Sequence, residues 1–260
     1  MYNFASVYIV LILKKIMKTL VIIPSRLSAQ RLPGKPLMKI KGLSIISHVF
    51  KKAEEANIGE VIVAAEDQEI VDDVKQNGGQ AILTKNKHKT GTDRIYEVFQ
   101  KINSSDIDLI MNLQGDEPLM NVEDIRNLNK KMIESSSKLG TLASEVQDRT
   151  LLENPNVVKV LTKENLNQTN FPEAENFMRN ISQEKENIYH HLGIYSYNKD
   201  TLEKFVSLNQ STNEIKNKLE QLRALDNGIK INVALSKSSP IGVDTEEDFL
   251  AIKKIMEYKS

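Results

Sequence analysis

The sequence predicts an α/β protein with a mostly parallel sheet and helices on both faces. Three observations carry this. From Met17 onward, short β-rich runs alternate with segments whose apolar residues recur at helical spacing, the mark of right-handed βαβ units. The first run, residues 20–23, is continuously apolar and ends at Pro24. At 260 residues the chain can bury a full core and fits one large α/β domain or one and a half.

The elements follow in order. Residues 44–56 read as a helix with Ile45, Ile46, Val49, Phe50 and Ala53 on one face. A strand at 61–65 leads to a helix at 69–76, which Gly78 and Gly79 stop. A short strand at 81–83 precedes a helix at 92–102 carrying Ile95, Val98, Phe99 and Ile102, and a further strand covers 109–113. The middle is less regular: strands at 157–161 and 192–197 flank a polar stretch at 162–187, which suits a small extra sheet or a dimer contact. A helix at 214–227, a strand at 231–235 and a closing helix at 245–256 complete the pattern, and Thr245 with Asp248 makes a capping-box start. The expected division is a core domain over 17–260, with about 140–195 as a smaller subdomain.

Bulk properties exclude several classes. Lys+Arg and Asp+Glu balance at 35 each; a long polyanion demands a basic surface, so nucleic acid is not the expected partner. Cysteine is absent, which removes disulfides, thiolate zinc sites and cysteine nucleophiles and is compatible with a reducing cytoplasm. The apolar run at 4–13 is shorter than the roughly 20 residues a membrane span needs. Residues 1–16 therefore read as a spurious or disordered extension before a start at Met17, the alternative being a peripheral anchor.

In open parallel sheets ligands sit beyond the carboxyl ends of strands, so the loops after residues 23 and 113 are where chemistry is expected. The first reads Pro24-Ser25-Arg26 and then Arg31-Leu32-Pro33-Gly34-Lys35-Pro36-Leu37. Three cations with a glycine suit a polyphosphate: Arg gives bidentate contacts, Lys a point charge, and Gly allows close backbone approach. It is not a Walker loop, because proline follows Lys35. The second reads Asn112-Leu113-Gln114-Gly115-Asp116-Glu117-Pro118, where adjacent acids are either Mg2+ ligands or the acidic start of a helix. In the third, Gly242-Val243-Asp244-Thr245, Asp244 is either a second metal carboxylate or a turn residue. Of the histidines, His48 reads as structural, His190 and His191 as pointing to opposite faces of a strand, and His88 as solvent-facing.

Together these stretches resemble the bacterial 3-deoxy-manno-octulosonate (Kdo) cytidylyltransferases. So do Thr90-Gly91-Thr92-Asp93-Arg94, His190-His191-Leu192-Gly193-Ile194-Tyr195 and Leu219-Glu220-Gln221-Leu222-Arg223. The order and rough spacing match over nearly the whole chain from Met17. The resemblance implies a Rossmann-like nucleotide-binding domain with a smaller dimerisation part, a cytoplasmic homodimer, and Mg2+-dependent transfer of CMP from CTP to Kdo for lipopolysaccharide biosynthesis. It further implies that Arg26 and Lys35, with Arg31, hold the CTP phosphates and that Asp116 and Asp244 coordinate Mg2+. Thr90, Thr92 and Arg94 would line the nucleotide–sugar cleft, and Gln114, His191, Tyr195, Glu220 and Gln221 would shape the sugar pocket. One departure stands out. Where the family carries a Tyr-Phe-Ser-Arg-like motif, this chain reads Asn170-Phe171-Pro172-Glu173-Ala174, leaving Arg179 as a possible substitute. Another acidic acceptor, 8-amino-Kdo or a nonulosonate, and a non-catalytic nucleotide-binding protein of the same fold are the alternatives.

Overall fold

The structure, a computed structural model, describes residues 17–28, 31–85, 88–146, 148, 150–181 and 186–258. The expectation for residues 1–16 lies outside the described residues. The first half builds β1 (Lys18–Ser25), the short pair β2 (Lys39–Ile40) and β3 (Leu43–Ser44), α1 (Ile45–Ala56), β4 (Gly59–Ala65), α2 (Gln68–Gln76), β5 (Ala81–Leu83), α3 (Gly91–Ile102), β6 (Ile107–Asn112) and α4 (Val122–Ser135). The second half adds β7 (Leu139–Ser144), α5 (Thr150–Glu153), β8 (Lys159–Thr162), β9 (Ala174–Met178), β10 (Ile188–Asn198), α6 (Lys199–Ser207), α7 (Thr212–Asn217), α8 (Leu222–Asp226), β11 (Asn232–Leu235) and α9 (Glu246–Tyr258).

The main path of the sheet runs β11-β7-β10-β6-β1-β4-β5. All neighbours on this path are parallel except β10, which is antiparallel to both β6 and β7. The chain passes from β1 outward through β4 to β5 and then returns to lay β6 on the other side of β1. That reversal puts a topological switch point between β1 and β6, with their carboxyl ends at one level because Ile22 pairs with Asn112.

Alternate residues of β1 explain why both faces are covered. Val21 and Ile23 join one apolar cluster with α1, α2 and α4, while Leu20 and Ile22 join another with α3, α6 and α8. All four are fully buried, so the run is continuously apolar because neither face meets water. A third, smaller cluster joins Val243 to Phe249 and Ile252 of α9 and to Ile40 and Ile45, with Leu32 and Met38 packed against it. It fastens the C-terminal helix to the basic loop.

The structure corrects some expected boundaries. The single helix expected over 214–227 is two, because Lys218 takes a left-handed conformation (φ 53°) after α7. α4 and β7, which the sequence reading did not single out, fill the interval after the acidic loop. β9 lies inside the stretch read as polar, with Ala174 and Phe177 inward and Glu175 and Asn176 exposed. β7 belongs to the main sheet, whereas β8 and β9 branch from the start of β10.

The break between α7 and α8 places Glu214 and Arg223 opposite one another. Arg223 donates through Nε and Nη2 to the Glu214 carboxylate at 2.9 and 2.6 Å, and both side chains are almost fully buried. Burial alone would raise the Glu214 pKa, but the bonds from Arg223 and Gln210 bring it below its usual 4.5. Its stabilising contribution is therefore complete above that value and is lost as pH falls below it. Glu214→Ala is expected to lower unfolding free energy by about 3–5 kcal/mol, since it strands a buried guanidinium; urea unfolding at neutral pH measures this, and a loss under about 1 kcal/mol contradicts it.

Candidate active site

A cavity of about 550 Å3 opens at the switch point. Its wall includes Arg26, Arg31 and Lys35 from the first loop, Gln114 and Asp116 from the second, and Asp244 from the third. The backbone explains why these loops can touch. Gly34 takes a left-handed conformation (φ 74°) and starts a short 3-10 turn over Lys35–Leu37, which directs Lys35 inward. At Gly115 any Cβ would stand 2.9 Å from the Pro24 carbonyl oxygen, so glycine is needed where the β1 and β6 loops meet.

Lys35 is the point of convergence. Its ammonium donates to Asp116 Oδ2 at 2.7 Å and to the Val243 carbonyl at 2.5 Å, and lies 3.5 Å from Asp244 Oδ1. Arg31 Nη2 sits 2.8 Å from Asp244 Oδ2. The two aspartates, from loops far apart in sequence, thus share one cation. The adjoining Glu117 has an enclosed Oε2 with no hydrogen-bond partner. Burial first, then the charges of Asp116 and Asp244, push its carboxyl up to about 8 despite Lys35. The two facing carboxylates and the enclosed, unpartnered Glu117 Oε2 fit an added divalent cation. Two carboxylates leaving room for water and phosphate oxygens are the donor set Mg2+ takes; among the described residues no group of three or more acids or histidines forms a complete cage.

Asp244 is held from three sides. Val243 is fully buried in the third cluster and its N–H donates to the Asp116 carbonyl at 2.9 Å. Thr245 and Asp248 form the anticipated reciprocal cap at the start of α9. Upstream, the buried Asp124 accepts from Ser236 Oγ and Ser238 Oγ, each at 2.6 Å, and from Lys237 N at 2.9 Å. Asp124 carries no motif, so only the folded chain reveals it as the anchor of the loop leading to Asp244.

The remaining expected residues fall into two groups. Thr90 and Arg94 line the cavity with Gln114. Thr90 caps α3 with Asp93. Arg94 is buried and its guanidinium is taken up by Glu66 and Thr84, so it braces the wall. Gln114 Nε2 donates to the Gly193 carbonyl at 3.0 Å, tying the acidic loop to β10. Thr92, His191, Tyr195, Glu220 and Gln221 do not line this cavity. Burial raises the Glu220 pKa despite the nearby Thr92 and Thr90 hydroxyls, and its enclosed Oε1 has no hydrogen-bond partner. His191 and Tyr195 stand in a row of rings running Phe177, His191, Tyr195, Tyr197 and Phe205 at centroid spacings of 5.0, 5.4, 6.1 and 5.9 Å. Burial and then His190 push His191 down to about 3, and its Nε2 pairs with Thr141 Oγ1 at 3.0 Å. It is a neutral, structurally engaged imidazole.

Three side readings are also resolved. His48 is structural, with Nε2 2.8 Å from the Ile40 carbonyl. His88 does not face solvent as expected; it lines the cavity and pairs with Glu97. Arg179 gives its guanidinium to the carbonyls of Pro155, Asn217 and Lys218 and is absent from the cavity wall.

The family described as Cytidylyltransferase matches residues 20–231. A 3-deoxy-manno-octulosonate cytidylyltransferase from Afipia carboxidovorans is 41% identical over 240 residues, covering 92% of this chain and 96% of its own. The chain belongs to this cytidylyltransferase family. A relative of the same description from Thermodesulfovibrio yellowstonii is 40% identical, over 92% of this chain and 98% of its own. Among solved structures, a CMP:2-keto-3-deoxy-manno-octonic acid synthetase complexed with CTP superposes with a TM-score of 0.84 at 33% identity, over 94% of this chain and all of that one. A 4-diphosphocytidyl-2C-methyl-D-erythritol synthase from Anaerococcus prevotii, at 13% identity and TM-score 0.62, shares the fold. This cytidylyltransferase therefore keeps Asp244 beyond the stretch that the family description matches.

Asp124→Ala leaves three donors, the buried Ser236 hydroxyl among them, without their acceptor, at an expected cost of about 2–3 kcal/mol. Hydrogen exchange should then accelerate in residues 237–244 and leave β1 protected; unaltered exchange in that loop contradicts the anchoring role.

Proposed function

We propose that this chain transfers the cytidylyl group of CTP to 3-deoxy-manno-octulosonate, releasing pyrophosphate and supplying CMP-Kdo to lipopolysaccharide biosynthesis. One observation carries the reading. A cation-lined cavity at the switch point has Lys35 bridging Asp116 and Asp244, in a chain about 40% identical to enzymes of that name over nearly its full length.

In this reading the anomeric hydroxyl of the sugar attacks the α-phosphorus of CTP, and the protein aligns the two and offsets phosphate charge. Arg26, Arg31 and Lys35 bind the phosphates and stabilise the departing pyrophosphate. Asp116 and Asp244 would hold Mg2+, which when bound would supply polarisation of the α-phosphate and a lower pKa for the attacking hydroxyl. Gln114 and Thr90 orient the sugar at the cavity wall. Thr92, Glu220 and Gln221 act from behind that wall, Glu220 as a buried carboxyl beside Thr90 and Thr92. His191, Tyr195 and the brace at Arg94 fix the shape of the pocket. The chain works as a homodimer through the branch formed by β8 and β9. No covalent enzyme intermediate is required.

A second reading, an acceptor such as 8-amino-Kdo or a nonulosonate, is favoured by one observation. Phe171 stands buried where the family motif lies, and Arg179 is turned onto backbone carbonyls. Pyrophosphate release with CTP across a panel of acidic sugars, repeated with ATP, GTP and UTP, decides between them. Release with CTP and Kdo is expected; release with a nonulosonate alone assigns the other acceptor, and release with no acceptor sugar overturns both.

Asp116→Asn is expected to lower kcat by about 100-fold or more while the melting temperature holds, and chelation by EDTA should abolish turnover until Mg2+ is restored. Lys35→Ala should raise KM for CTP. Wild-type turnover in Asp116→Asn removes the metal assignment, and unchanged CTP dependence removes Lys35 from the site.

A further inference from the structure

The cavity wall contains two residues, His88 and Lys89, that neither the family motifs nor the mechanism above uses. Between β5 and α3 the chain contributes His88, Lys89, Thr90 and Gly91 to the wall. Two carboxylates already neutralise Lys35 and Arg31, and Glu66 neutralises Arg94. Among the described residues Arg26 and Lys89 have no ion-pair partner. They supply the wall's uncommitted positive charge, so the position of Lys89 matters to an incoming triphosphate.

That position is set by Glu97, which reaches back from α3. Its carboxylate accepts from Lys85 N at 3.1 Å through Oε2 and pairs with His88 Nε2 at 2.5 Å through the same atom. Oε1 takes Lys101 Nζ at 2.7 Å. Burial favours the neutral acid, but the bonds from Lys101, Lys85 N and His88 win and bring Glu97 down to about 2. It is an anion at any working pH. One carboxylate thus holds the β5–α3 connection at both ends, first at Lys85 and again at His88, immediately before Lys89 and Thr90. Both His88 and Glu97 are largely enclosed, at 15% and 13% exposure, so the pair is not a loose surface contact. Thr90 is then locked by its own reciprocal cap with Asp93.

We infer that His88 and Glu97 are positioning residues for the triphosphate of CTP, holding Lys89 against the cavity. The inference rests on the cavity being the CTP site. It differs from a purely stabilising role in what it predicts: nucleotide affinity should suffer, not the chemical step. The two residues should also act as one unit.

The test uses the full chain with His88→Ala, Glu97→Gln, the double variant and His88→Gln, whose side-chain N–H can still donate to Glu97. CTP affinity is read by calorimetry, kcat and KM by pyrophosphate release, and folding by thermal melting. Each of His88→Ala and Glu97→Gln should raise Kd and KM for CTP about tenfold, the weight of one charge-assisted hydrogen bond, with kcat within about threefold. The double variant should be no worse than the poorer single, and His88→Gln should recover most of the affinity. Unchanged CTP affinity in a folded His88→Ala, a loss confined to kcat, or additive losses in the double variant each overturn the inference. A wild-type protein that binds no CTP overturns instead the reading on which it rests.

Discussion

The ammonium of Lys35 binds to two carboxylates and one carbonyl that come from loops far apart in the sequence. Bringing Asp116 and Asp244 together unaided would set like charges side by side in a partly enclosed space, a cost that Coulomb repulsion makes steep away from bulk water. Lys35 offsets that repulsion and Arg31 adds to the effect from the Asp244 side. Burial, and then the charges of the two aspartates, still raise the neighbouring Glu117. In the proposed function the aspartates of this junction take a small hard cation, and Arg26, Arg31 and Lys35 take the phosphates.

Everything larger in the fold serves to hold that junction. β1 and β6 lie side by side in register so that their following loops start at one level. The antiparallel β10 closes the other flank of β6 and accepts Gln114 at Gly193. The third apolar cluster then supplies the tertiary free energy that brings α9, and with it Asp244, onto the basic loop. Buried apolar contacts are non-directional, so they bring the loop close; the Asp124 bonds and the Thr245–Asp248 cap set its geometry.

The sheet was legible because its strands are apolar runs set between helical periods, and the basic loop at the cavity because Arg, Gly and Lys cluster directly after a strand. Asp116 and Asp244 were readable as candidates, but their meeting over Lys35 is a tertiary fact that no spacing encodes. Asp124 and Glu97 were illegible for a different reason. Each is one acid among many on a helix, and its importance lies in what folding places opposite it. His88 read as solvent-facing from its lysine-rich surroundings, which describe the loop's composition and not the carboxylate on the next helix. The break at Lys218 was hidden too, since the apolar period continues through it while the buried Glu214–Arg223 pair rewards the kink.

The order in which the chain carries its parts has a consequence for synthesis in the cell. Strands β1, β4, β5 and β6, with the basic and first acidic loops, leave the ribosome long before Asp244 and α9. A nascent or prematurely terminated polypeptide can therefore acquire the central sheet while lacking the second aspartate of the junction. The junction at Lys35 is completed only with the final helix, so an unfinished copy lacks the Asp244 contact on which the proposed site depends.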